Sequence, residues 1–75
     1  MYHTIEFVVD FVADVEVSPR KPLEQMRIVA GSRRRAQLKP HVVETSQGPV
    51  EVADLFFEDG TTTRMIAFSC FALVD

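Results

Sequence analysis

Residues 5–17 read IEFVVDFVADVEV, and the reading of this stretch decides the fold. Every odd position is apolar (Ile5, Phe7, Val9, Phe11, Ala13, Val15, Val17), while the even positions include Glu6, Asp10, Asp14 and Glu16. Such alternation lines up all the odd side chains on one side of an extended strand. A helix would scatter them around its circumference. Val8 and Val12 interrupt the polar face, so partial cover of that face is expected. A strand this long in a small domain is expected to bend and serve two sheets.

Working outward, SPRKP (residues 18–22) stops the strand, because two prolines remove two ladder donors and push the preceding residues to extended or turn geometry. Two readings compete over the next stretch, LEQMRIVAGSRRRAQLK. In one it is a hairpin with Gly31-Ser32-Arg33 as its loop, which sets Ala30 opposite Arg34, Ile28 opposite Ala36 and Met26 opposite Leu38. A shift of one residue would set Ile28 against Arg35 and destroy the apolar match, so this register is favoured. In the other, residues 22–31 form a short helix with Pro22 in its first turn and Gly31 as its cap.

Further on, HVVET and PVEVADLFF flank SQG, a turn that needs Gly48 at positive φ. FFEDGTTTRMIAF reads as a hairpin closed by Glu58-Asp59-Gly60. Val52 then faces Ile66, Val50 faces Phe68, and Asp54 faces Arg64 as a cross-strand ion pair. The last strand, residues 62–74, is apolar on both sides, as in a central or interfacial strand. The pattern predicts one all-β domain over residues 1–75: a five-stranded antiparallel barrel or roll in the SH3-like or OB-like size class. The alternative is an α+β domain with the 22–31 helix on a four-stranded sheet.

The net charge of −3 hides a segregation. Residues 1–18 carry Glu6, Asp10, Asp14 and Glu16, a net of −4. Residues 19–40 carry Arg20, Lys21, Arg27, Arg33, Arg34, Arg35 and Lys39 against Glu24, a net of +6. Residues 41–75 return to a net of −5. Arg27, Arg33, Arg34, Arg35 and Lys39 are therefore the candidate binding patch, for an acidic protein partner or for another copy of the chain. Phosphate contact with nucleic acid through the same patch is the alternative. Two features weigh against that alternative: the sequence pI is near 5.2, and residues 18–55 contain no Phe, Tyr or Trp on which a base could stack.

Catalytic signatures are missing. Cys70, the only cysteine, sits in AFSCFAL with no neighbouring cation to lower its pKa. Asp10 and Asp14 share a strand face but stand about 13 Å apart at strand rise, too far to share a proton. His41 comes near Asp54 in one strand register, but the spacing of the histidines and acids is not that of a metal site. No enzyme activity, cofactor or metal is expected. One unpaired cysteine and the acids in YHTIEFVVDFV, where an export signal is basic and then apolar, point to a cytoplasmic location. The abundance of apolar residues points to a homo-oligomer, with Phe56, Phe57, Met65 and Phe71 as contact residues. The expected function is a non-enzymatic interaction module.

Overall fold

A computed structural model describes residues 1–75 as one antiparallel sheet of seven strands, curled into a half-barrel, with no α-helix. The strands are β1 (His3–Phe7), β2 (Phe11–Glu16), β3 (Glu24–Ile28), β4 (Arg33–Thr45), β5 (Gly48–Phe57), β6 (Thr62–Ala67) and β7 (Phe71–Leu73). A 3-10 turn, Phe68–Cys70, separates the last two. Their spatial order is β3-β2-β6-β5-β4-β1-β7. The all-β class holds. The five-stranded closed barrel does not, because β3 and β7 remain as open edges, and the helix over 22–31 is replaced by β3.

The stretch that decides the fold bends at Val8–Asp10 and yields β1 and β2. These strands follow each other in sequence but lie four places apart in the sheet. Four inter-strand steps in a flat sheet span about 19 Å. The chain from Phe7 to Phe11 reaches at most about 14 Å. The sheet therefore has to curl. Donors close the corner: Val8 N–H to the Cys70 carbonyl at 2.9 Å, Gly31 N–H to the Phe7 carbonyl at 2.7 Å, and Ala30 N–H to the Asp10 carboxylate at 2.6 Å. Phe7 and Phe11 meet edge-on across it at 5.9 Å.

Within the strands the odd residues point inward as the alternation requires, while Val9, in the bend, and Val17, past the end of β2, are exposed. Ile5, Phe7, Ala13 and Val15 are buried with Ile28, Ala36, Ala53, Leu55, Phe57, Ile66 and Phe71. Val8 and Val12, expected to be partly covered, are exposed. The predicted 31–33 hairpin is also corrected. β3 pairs with β2, setting Phe11 opposite Ile28 and Ala13 opposite Met26, while β4 pairs with β1 and β5. Both pairings match apolar residues, but an aromatic opposite a β-branched residue gains more than the Ile28–Ala36 pair would. Arg33 and Arg35 are then free to face Glu6 and Thr4 across the β1 ladder.

The Asp59-Gly60 turn and Gly48 at φ +106° are as predicted. The β5–β6 register is as predicted only beside the turn, where Leu55 faces Thr63. A bulge follows, so Ala53 rather than Val52 faces Ile66. Its extra residue, Met65, sits at φ +60°, the one non-glycine at positive φ. The stretch 62–74 is not one strand. β6 is central, the chain breaks at Phe68–Cys70, and β7 becomes an edge. Apolar residues on both sides marked the point where the chain changes faces, and Phe68 and Phe71 stack there at 5.2 Å.

β1 ends opposite Ala36, and β6 ends opposite Val52. Residues 42–51 thus run on as a two-stranded ribbon with no third strand on either side. Pro40 is tolerated mid-strand because β4 is by then an outer strand. The Cα radius of gyration, 12.3 Å, reflects the projection; a compact chain of this length would have about 11 Å.

Met65 is exposed, so its side chain contributes little packing against the backbone strain it carries. Met65→Gly is expected to leave the denaturant midpoint unchanged or slightly raised. Met65→Val, a β-branched residue at positive φ, is expected to destabilise by about 1–2 kcal/mol. Equilibrium urea unfolding of the two variants checks both.

Candidate functional site

The arginine run begins β4, and its members alternate sides of the sheet. Arg33 and Arg35 are on the convex side, with Arg34 on the concave side beside the core. Each has an acidic partner from elsewhere in the chain. Arg33 Nε donates to Glu6 at 2.9 Å and Arg35 Nε to Glu58 at 3.3 Å, with a further Arg35 bond to the Thr4 hydroxyl at 3.2 Å. Arg34 is the best held. Its guanidinium lies 4.0 Å from the Phe57 ring centroid, donates to Asp59 at 2.9 Å and donates to the Met26 sulfur at 2.9 Å. The three arginines, Glu58 and Asp59 line one shallow cleft of mixed charge.

Asp59 also ties the β5–β6 turn. The Thr61 hydroxyl and backbone N–H donate to it at 2.7 and 2.9 Å. These donors, with a smaller effect of the Arg34 charge and against some desolvation, hold its pKa below the usual carboxylate value.

Of the other patch residues, Arg27 faces Val12 on β3 and Lys39 faces Asp54 on β4, and both are exposed. The structure therefore groups Arg33, Arg34 and Arg35 but sets Arg27 and Lys39 on different strands, unpaired. Of the proposed contact residues, Phe57 (2% exposed) and Phe71 (5% exposed) are core, which removes both as contacts. Their strands turn them inward, because Phe57 faces Ala36 and Phe71 faces Phe7. Phe56 is half-buried beneath Arg64, and Met65 is 56% exposed.

A second cluster lies on the convex side. Asp54, nearly buried in mid-β5, accepts from the Met65 N–H at 3.0 Å, from His41 Nε2 at 3.1 Å and from Arg64 at 3.4 Å. Arg64 also reaches Glu16 at 3.4 Å. The expected Asp54–Arg64 and His41–Asp54 proximities are both present. Their common purpose, supplying an acceptor to the bulged Met65 amide, is invisible in the sequence, because no residue signals a bulge at a methionine. No group of three or more His, Cys, Asp or Glu side chains converges as a metal-holding set. Cys70 is half-buried, and no helix is long and apolar enough to cross a membrane.

Sequence reasoning also passed over the ribbon and its exposed valines, although Pro40 within a β-rich run was a usable signal of an outer strand. No family model, curated protein or solved structure matches the chain.

Burial works against ionisation of Asp54 and is its largest single influence. The Met65 amide, the His41 hydrogen bond and the charges of His41 and Arg64 together outweigh it and hold its pKa below the ordinary carboxylate value. A lowered folded-state pKa adds stability above the unfolded value, and this is lost as pH falls through the folded value. Asp54→Asn is therefore expected to flatten the loss of stability below pH about 4, checked by urea unfolding across pH. In the arginine run, Arg34→Ala is expected to cost about 1–2 kcal/mol through the lost ring and sulfur contacts. Arg33→Ala, at an exposed pair, should cost under about 0.5 kcal/mol. Thermal unfolding of the two variants separates the roles.

Proposed function

We propose that the chain is a non-enzymatic interaction module that self-associates. The observation that carries this reading is the amount of large apolar surface left outside the half-barrel. Val12, Val42, Met65 and Leu73 on the strands, and Leu23 in the link from β2 to β3, are each more than half exposed, and the sheet has two open edges. One small core covers one face of a curled sheet, and a second body is needed to cover more. Arg33, Arg34 and Arg35 already have acids within the chain, so docking of an outside acid or phosphate there would first break those pairs. This favours self-association over nucleic-acid contact, and over an acidic partner held by that run alone. Arg27 and Lys39 stay free for electrostatic steering of a partner.

Light scattering coupled to size-exclusion chromatography, from low to high micromolar protein, is expected to show mass rising above that of one 8.5 kDa chain. A constant monomer mass throughout would overturn the reading.

A further inference from the structure

The ribbon of residues 42–51 is an arm without a neighbouring strand on either side. Two-stranded ribbons alone are marginal in water, and this one exposes Val42 (59%) on its concave side and part of Val50 on the other. Val42 faces Glu51 across the ribbon and precedes Glu44 by two, so the three share one face: an apolar centre between two carboxylates. Neither Glu44 nor Glu51 has a cation in reach.

Most other charges along the sheet find partners. Arg33, Arg34, Arg35 and Arg64 are all paired within the chain. Besides Arg27 and Lys39, the cations left over are Arg20 and Lys21, in the link from β2 to β3. They precede Leu23, which is 60% exposed, by three and two residues. Pro19 and Pro22 stiffen that link. Of its acidic neighbours, Asp14 and Glu16 share a cleft with Leu23 and Arg64, Glu16 is held by Arg64, and Glu24 belongs to the concave side opposite Val15. The link thus carries, close in sequence, an exposed apolar residue and two unpaired cations, against an exposed apolar residue and two unpaired acids on the arm. β6 stands between β5 and β2, so within one chain the two features lie on separate parts of the sheet.

Resting on the self-association reading, we propose that the β4–β5 arm of one chain docks on the β2–β3 link of a second copy, with Val42 against Leu23 and Glu44 and Glu51 against Arg20 and Lys21. Two such contacts about a two-fold axis make a closed dimer. The contact uses the arm's face and not its edge, since Pro40 interrupts the row of edge donors.

A charge swap tests this. Glu44→Lys/Glu51→Lys and Arg20→Glu/Lys21→Glu alter only exposed, unpaired side chains, and circular dichroism verifies that each variant folds. By sedimentation, each is expected to raise the self-association constant for dissociation about tenfold or more. An equimolar mixture of the two is expected to regain association. Val42→Asp should also dissociate the dimer. A wild-type chain that is monomeric overturns both this contact and the self-association reading. A wild-type oligomer untouched by the three variants overturns the arm contact alone, and so does a mixture that fails to regain association.

Discussion

The link from Phe7 to Phe11 is too short for a flat sheet. It joins strands that stand four places apart, and this constraint shapes everything else in the molecule. Curling brings β1 and β2 around a common interior, where Ile5, Phe7 and Ala13 meet the inward residues of β4 to β7. The corner is held by backbone donors to the Phe7 and Cys70 carbonyls and by the Asp10 carboxylate on Ala30. Asp10 reads in the sequence as one more solvated acid, yet it is a structural acceptor.

The same curl decides where charge goes. β1 lies beside β4, so Glu6 stands opposite Arg33, and the β5–β6 turn brings Glu58 and Asp59 to Arg35 and Arg34. A run that looks like a basic patch along the chain is, in space, a row of ion pairs. Arg34 adds a stacked contact on Phe57 and thereby closes one end of the core. The parts of the chain that leave the curled sheet, the ribbon and the β2–β3 link, carry charges without internal partners, Glu44 and Glu51 on one and Arg20 and Lys21 on the other. Each also carries a large exposed apolar side chain, Val42 on the ribbon and Leu23 on the link.

Asp54 shows how a local irregularity is supported. The bulge at Met65 sets an amide out of the ladder, and a nearly buried carboxylate accepts its hydrogen bond. His41 and Arg64 complete the acceptor's pairing, so the strained residue and the buried charge stabilise each other.

The β class, the inward set Ile5, Phe7, Ala13 and Val15, and the turns at Gly48 and Gly60 were legible in the sequence alone. All of these follow from local rules: period-two alternation, and glycine at positive φ. It also held the Asp54–Arg64 pair, because a short hairpin loop sets register nearby. Only the tertiary structure decided which strand β3 joins, since Ile28 finds an apolar partner in either register and the choice depends on Phe11, seventeen residues earlier. It also decided that Phe57 and Phe71 face inward and that the arginines are paired. Those outcomes depend on which strands become neighbours, and in a curled sheet that is settled by the closure of the whole chain rather than by any one segment.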